Sequence, residues 1–454
     1  MTRLHHATLD VTRLVDGVRL IVIGGTGFVG KLFWSMLLDR YPNIGRIYLM
    51  VRPKAGITSE ERFWREVAAS EALSPLRRAH GDRFESFLRS KIAPIDGDVR
   101  QPLCGVSPEA LRTLTGSIDV VINVAGVVDF NPPLDEAIAV NAVGAQNLVA
   151  LARSVGAAVF HTSTCYVAGA REGLVREEDP RAIPFPQAQE LGLGLWDPQR
   201  EIAECLDRIA QATRRSEDAF RQSEVVQRTR EVLRARGEPF FGEAYEAERA
   251  RTTRRRIADE LVEAGIDRAK HWGWPNIYTY TKALGEQVVA GGGLPFVIAR
   301  PACCESCVDF PFPSYNEGIN TSAPLLYMMM KGQVQVLATH VPLDFIPADY
   351  VVAGMILALA ELLEGTAAPV YHLGASDVNP CTAQRFGELT GLYKRKFFRR
   401  GTGHPLADAI QARIEPSFVG RTRFDRFGPP AIASAASEIA ARLRDAAPAL
   451  RPAA

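Results

Sequence analysis

Residues 20–30 read LIVIGGTGFVG, and the rest of the chain takes its place from that run. Four apolar residues, Leu20 to Ile23, form a short strand-like stretch that glycine ends; Gly24, Gly27 and Gly30 then recur every third residue at the entry to an amphipathic segment over 31–40. This is the pattern of a strand, a tight turn and a helix start. Gly24 permits a turn that a side chain would hinder, Gly27 lets the main chain approach a pyrophosphate, and Gly30 lets the helix pack closely on its strand. The helix start offers N–H groups and a partial positive charge to phosphates. Thr26, Phe28 and Val29 therefore join the three glycines as predicted dinucleotide contacts. A glycine triplet alone also fits an ordinary turn, and it is the flanking strand and helix that favour the nucleotide loop.

Outward from the loop, RIYLMV at 46–51 is a second strand. About 20 residues past the glycines, a dinucleotide fold selective for NAD places an acid on the ribose 2′-hydroxyl. Here the chain reads Val51, Arg52, Pro53, Lys54. An acid would repel a 2′-phosphate, whereas Arg52 with Lys54 pairs with one, so NADPH is expected over NADH. The plain alternative for Arg52 is a solvated loop arginine. Residues 58–89 read as one or two surface helices.

The segment 92–99 reads as the third strand and ends at Asp98 and Val99, the Asp98 carboxylate being placed to accept from an adenine amino group. The fourth strand, 118–125, opens at Ala125 and Gly126; a helix over 134–154 carries Asn141; the fifth strand, 158–162, leads into Ser163 and Thr164. Strands alternating with helices at this interval give an α/β fold with a doubly wound parallel sheet, which binds ligands beyond the carboxyl ends of its strands. Gly24, Asp98, Gly126, Ser163 and Thr164 all fall at such ends.

A chain of 454 residues suggests two to three domains, or one α/β domain with large insertions. The net charge of +1 argues against bulk nucleic-acid binding. Seven irregularly spaced cysteines and a start unlike a secretory signal point to a reducing cytoplasm. No uninterrupted apolar run reaches the roughly 18–20 residues of a membrane span, so any membrane contact is expected at the surface. From 199 to 269 charge dominates and apolar residues recur three and four apart, the mark of a helical insertion.

Directly after the insertion stands WPNIYTYTK, 274–282. Tyr278 and Lys282 lie four apart, hence one turn apart on a single helix face. A free phenol with pKa near 10 is a poor acid or base at neutral pH, and a nearby ammonium favours its phenolate. The same lysine suits the nicotinamide ribose. Such a pair occurs by chance in many helices; a nucleotide loop and hydroxyls at the end of a fifth strand make a reductase site the better reading. The Thr164 hydroxyl is placed to donate to a carbonyl oxygen, Tyr278 to supply the proton, and Ser163 to orient the strand end. Tyr166 and Tyr280 read as packing residues and His161 as a hydrogen-bonded neighbour. Pro301 and Ala302, after a strand over 295–300, offer backbone groups to the nicotinamide amide. No metal is expected: Cys303, Cys304 and Cys307 cluster without a histidine to complete a ligand set, and read as buried thiols rather than a thioester-exchanging nucleophile.

GGTGFVG, VRPK, GDV, HTSTCYVAG, YTYTK followed by ALGEQ, and ARPA together resemble the extended short-chain dehydrogenase/reductase superfamily. More narrowly, WPNIYTYTKALGE, DFPFPSYNEG, LDFIPADYVVAGMI and YHLGASDVNP with LTGLYKRKF resemble the bacterial fatty acyl-CoA reductases, over about residues 18–400. The resemblance implies a Rossmann-type fold and a catalytic set falling on Thr164, Tyr278 and Lys282. It also implies NADPH-dependent reduction of a long-chain acyl thioester, on coenzyme A or acyl carrier protein, to aldehyde and onward to alcohol. The expected organisation is an NADP-binding domain over 1–186 and 274–302, a helical cap over 187–273, a substrate-binding region over 303–400 and a C-terminal helical tail over 401–454. Over a hundred residues separate Thr164 from Tyr278, enough for helices that cap the site and exclude water. Residues 324–330 and 355–363 are either acyl-tunnel lining or ordinary core helix. Lys394 to Lys396, with Arg399, Arg400 and two phenylalanines, form a basic cluster suited to an anionic bilayer surface, carrier phosphates or solvent. The rival readings are a nucleotide-sugar epimerase or dehydratase of the same fold, which would need polar anchors in the C-terminal half, and a non-catalytic NADP-binding sensor, which would have no use for the catalytic set.

Overall fold

The computed structural model describes residues 9–429, apart from 55, 172, 319–321 and 335; the expected tail beyond 429 lies outside the described residues. The chain divides into two compact units. The first comprises residues 1–301, 307–315 and 348–373. Part of the expected substrate-binding region thus belongs with the nucleotide fold.

In this unit strand β1 (Arg19–Ile23) runs through the glycine loop into helix α1 (Phe28–Arg40). Strands β2 (Arg46–Val51), β3 (Ile92–Asp96), β4 (Val120–Asn123), β5 (Ala158–Thr162), β6 (Phe296–Pro301) and β7 (Val370–Leu373) complete a parallel sheet in the order β7-β6-β5-β4-β1-β2-β3. Leu20 to Ile23 are all buried, as expected for a strand covered on both faces. The order reverses between β1 and β4, so the crevice at their carboxyl ends is the topological switch point.

Helix α1 departs from the amphipathic expectation: every residue from Gly30 to Leu38 is buried, Lys31 and Ser35 included. A later helix covers the side that the pattern left to solvent, as described below. The expected helix over 134–154 is three pieces: Leu134–Ala137, a π-helical turn Ile138–Ala142, and α2 (Val143–Val155). The span Leu134–Val155 is long and apolar enough by composition to cross a bilayer, but more than half of its most apolar window is buried inside the protein. It is a core helix. The segment 58–89 is a chain of short helical turns rather than one or two helices, ending in Phe84–Lys91.

The insertion is helical as expected: α3 (Pro198–Arg215), α4 (Ala219–Arg236) and the long α5 (Gly242–Trp272) precede α6 (Ile277–Ala290), which carries Tyr278 and Lys282. Its arginines are mostly paired within the insertion, Arg215 and Arg221 with Glu260 and Arg236 and Arg251 with Glu248. Helix α7 (Ala348–Glu364) packs on α1 and β6, burying Met355, Ile356, Leu359 and Ala360. The tunnel alternative for 355–363 gives way to core packing, because this helix shields the sheet from the far side of α1.

The second unit comprises residues 302–306, 316–347 and 374–454. Its described part holds short strand pairs, Cys303–Glu305 with Phe345–Pro347 and Val336–Ala338 with Ser417–Val419, and helices Ala323–Met330, α8 (Ala383–Arg399) and Pro405–Gln411. Asp344 organises its 374–376 turn, accepting from the Ala375 and Ser376 amides at 2.8 and 3.2 Å and from the Ser376 hydroxyl at 2.7 Å.

Candidate active site

The glycine loop is built by exclusion. Gly24 has φ +81°, and a Cβ there would lie 2.3 Å from the Ala125 amide nitrogen, so the loop crosses directly over the end of β4. A Cβ on Gly30 would lie 2.3 Å from the Gly24 carbonyl oxygen, which enforces the close helix–strand packing. Gly27 differs: it is exposed and faces open space, and a Cβ added there would meet only the Gly24 oxygen, at 3.4 Å. It is also the N-cap of α1 and has no side chain to satisfy the helix N–H groups of Phe28, Val29 and Gly30. Trp34 holds the loop from behind, donating its buried Nε1–H to the Gly25 carbonyl at 2.9 Å. Half-buried Thr26 sits in the turn, and the Phe28 ring rests 5.8 Å from that of Tyr315. A cradle of free amides that a side chain would fill fits a dinucleotide pyrophosphate.

Around this loop the expected contacts divide. Arg52 is exposed beyond β2, and its guanidinium makes no hydrogen bond or salt bridge among the described residues. Lys54 is engaged elsewhere, its Nζ 2.8 Å from Glu66, whose carboxyl is pulled down to about 2 by hydrogen bonds from Lys54 and Arg62. Asp98 is gripped by the neighbouring Arg100, whose Nε lies 3.0 Å from both carboxylate oxygens. Hydrogen bonds from Arg100 hold the Asp98 carboxyl below its usual range. The third strand stops at Asp96, so Asp98 and buried Val99 stand in the loop after it, with the Val99 carbonyl accepting from Asn147 at 2.9 Å.

The ends of β4 and β5 meet α6. Asn123 accepts from the Ala125 amide at 3.0 Å and faces His161 Nδ1 at 3.2 Å. Asn141, in the π-helical turn, accepts from the Val127 amide at 3.1 Å and donates to Thr281 Oγ1 at 3.0 Å. It ties the loop after β4 to α6 next to Lys282, and a π-turn is a frequent device for aiming a side chain at a site. Lys282 is buried and donates to the Thr162 carbonyl at 2.6 Å, while a Cβ on Gly126 would come within 3.6 Å of its Nζ. Burial pushes the Lys282 ammonium down to about 8, against a smaller opposing pull from Glu286.

Three polar groups at the end of β5 are buried without a partner among the described residues: Thr162 Oγ1, Ser163 Oγ and His161 Nε2. Unsatisfied groups at a strand end are unusual enough to mark a ligand position. Burial and the charge of Lys282 keep His161 neutral, well below the ordinary histidine range, in agreement with its reading as a neighbour rather than a base. Thr164 is buried in extended backbone and accepts from the Tyr166 amide at 3.3 Å. Tyr166 is nearly half exposed, so it is not the packing residue expected.

The YTYTK run contains two tyrosines, and tertiary structure separates them. Tyr280 is fully buried, donates to Glu201 of α3, and lies 3.1 Å from Cys205 Sγ. Burial raises its phenol well above 10, so it stays protonated. Tyr278 is half-buried beside Phe130, whose carbonyl accepts from its amide at 3.0 Å. Asn276 caps α6 by accepting from Thr279 N at 2.9 Å, and Trp274 anchors the entry by donating to the Val167 carbonyl at 2.7 Å.

Pro301 closes β6, and Ala302 opens the second unit. Burial raises Cys303 and Cys307 to about 12, which disfavours a thiolate on either and accords with their reading as buried thiols. Composition and spacing do not reveal Glu201, Arg268 or Asp349. Arg268 Nε donates to Glu201 at 2.6 Å beneath Tyr280, and Asp349 accepts from the Val308, Asp309 and Phe310 amides at 2.8–3.2 Å. Each pairs residues far apart in the chain, so no local signal could have found them.

The sheet order, the glycine loop at its switch point and the Tyr–Lys helix beside β5 define a nicotinamide-dinucleotide-binding domain of the reductase type. The chain belongs to the male sterility protein family, whose model matches residues 22–355. It is 29% identical over 398 residues to the alcohol-forming fatty acyl-CoA reductase of Simmondsia chinensis, covering 85% of this chain and 72% of that protein. It is 25% identical over 408 residues to fatty acyl-CoA reductase 2 of Homo sapiens, covering 88% and 66%. These relatives are a plant and an animal protein, so the match is to the family at large. Among solved structures, the terminal R domain from the myxalamid PKS-NRPS biosynthetic pathway matches the fold with a TM-score of 0.53 at 18% identity, covering 87% of this chain and 78% of that one.

Proposed function

We propose that this protein reduces the thioester carbonyl of a long-chain fatty acyl group, carried on coenzyme A or acyl carrier protein, with NADPH, the C–S bond breaking to release the thiol and give the aldehyde, which a second NADPH takes to the alcohol. The observation that carries the reading is the buried Lys282–Thr162 bond, which fixes an ammonium beside the unpaired hydroxyls of β5 and one helical turn from Tyr278. The names of the relatives supply the substrate class.

The dinucleotide, when bound, supplies hydride to the carbonyl carbon. Thr164 donates a hydrogen bond to the carbonyl oxygen, and Tyr278 delivers the proton that the oxygen needs as charge develops. Lys282 favours the phenolate left on Tyr278 and orients the ribose. Ser163 completes the polar strand end. Free Arg52, with no acid at the end of β2, favours the 2′-phosphate of NADPH. Helices α3–α5 exclude water and retain the aldehyde for a second reduction. The seven free cysteines suit a reducing cytoplasm.

The test is NADPH oxidation with palmitoyl-CoA, with thiol, aldehyde and alcohol quantified by chromatography. Two NADPH consumed per thiol, with alcohol accumulating, is the expected result; one per thiol with free aldehyde would remove the second step. Tight NADPH binding without turnover on any acyl thioester would overturn the lipid assignment.

A further inference from the structure

The basic segment near residue 395 has an unusual arrangement in the second unit. On helix α8 the fully buried residues are small or polar, Gly387, Thr390, Gly391 and Lys394, with half-buried Phe386 set against Phe345 and Phe398 half-buried beside them. Lys394, expected in a surface cluster, instead donates to the carbonyls of Met329 and Ile414 at 3.0 and 2.9 Å. Arg395 is likewise taken up, by Glu415.

The opposite side is apolar. Leu389, Leu392, Tyr393 and Phe397 recur at intervals of three and four, and they are 45%, 54%, 59% and 42% exposed. A helix of a globular protein normally directs its apolar stripe inward. Here the stripe points out, with Tyr393 and Phe397 stacked at 6.3 Å. Lys396, Arg399 and Arg400 are exposed along the same turns. The exposed acid Glu388 is already opposite Arg385, at 3.7 Å. Neighbouring helix Pro405–Gln411 adds exposed Leu406 and Ile410.

We propose that this face of α8 docks the protein on an anionic lipid bilayer, its aromatic and leucine side chains entering the headgroup boundary and Lys396, Arg399 and Arg400 meeting the lipid phosphates. Charge complementarity selects this occupant: an apolar stripe interspersed with cations that make no salt bridge among the described residues matches a surface that is greasy beneath and negative above. The inference does not depend on the catalytic reading, since binding is measured without turnover.

The experiment is cosedimentation of the full chain with phosphatidylcholine vesicles, with and without phosphatidylglycerol, at low and high salt. The protein is expected to pellet with anionic vesicles at low salt and to be released by salt. Neutralising Lys396, Arg399 and Arg400 to Ala should weaken binding about fivefold per side chain. Tyr393→Ser with Phe397→Ser should weaken it on the order of tenfold or more. The substituted side chains are exposed, so the thermal midpoint should hold, which separates lost docking from lost folding. A chain that stays in the supernatant with anionic vesicles overturns the proposal. So does salt-resistant binding that the alanine set leaves unchanged. A dimer by light scattering that Tyr393→Ser splits, without vesicle binding, would assign the face to a second copy instead.

Discussion

In the proposed mechanism one buried side chain, Lys282, sets both chemistry and pH response. Its ammonium is held at about 8 by burial, so it is cationic at neutral pH and loses its charge as the pH rises through that value. The phenolate of Tyr278 then loses its favourable neighbour, and turnover should fall along an alkaline limb near pH 8 in a profile of kcat. Tyr278→Phe removes the proposed proton donor while leaving the ring that meets Phe130. It should lower turnover by on the order of 10²–10⁴-fold, with NADPH affinity by fluorescence titration unchanged; equal loss of cofactor binding would make Tyr278 structural. Arg52→Glu places an acid where a dinucleotide fold selective for NAD carries one, and should shift preference from NADPH to NADH, read as the ratio of kcat/KM for the two.

Elements hold these residues in place through backbone contacts and buried pairs. Gly24→Ala adds a Cβ at positive φ and 2.3 Å from backbone that cannot yield, and should cost more than about 2 kcal/mol in urea unfolding and abolish dinucleotide binding. The insertion is tied to α6 by Glu201, which is buried between Arg268 and Tyr280. Arg268 and the phenol of Tyr280 both use that one carboxylate, and although Arg268 keeps a second partner in Glu204 at 2.5 Å, neutralising Glu201 removes the charged acceptor that the buried pair and the phenol share. Glu201→Gln should therefore destabilise the protein by about 3 kcal/mol in urea unfolding, as expected for a broken buried ion pair. If the cost stayed below about 1 kcal/mol, the pair would behave as a solvated one.

For the molecule as a whole, buried bases set the acid side of stability. His161 is kept neutral in the folded state, well below 6.5, whereas the unfolded chain protonates it at about that value. The unfolded state then binds more protons, so stability is fully present above 6.5 and falls as the pH drops below it. Asp98, Asp179 and Asp408, each held below its usual range by hydrogen bonds, add to the loss at lower pH. Lys282 acts in the same sense at higher pH, stability rising between about 8 and 10.5. The urea midpoint should accordingly fall from pH 8 to pH 5, and His161→Asn, which keeps a polar side chain facing Asn123, should flatten the part of that fall nearest 6.5.

Sequence alone determined what local backbone chemistry dictates. Glycine spacing after an apolar strand, alternation of strands and helices, and Tyr278 and Lys282 one turn apart are all short-range signals, and the doubly wound sheet follows from them. Tertiary structure decided what depends on which distant groups meet. It buried α1 from Gly30 to Leu38 by laying α7 against it, locked the buried Tyr280 to Glu201, and drew Lys54 into a pair with Glu66. It also turned Lys394 inward and left the apolar side of α8 exposed. Periodicity reports that a helix has two faces, but only the neighbours it packs against decide which face water sees.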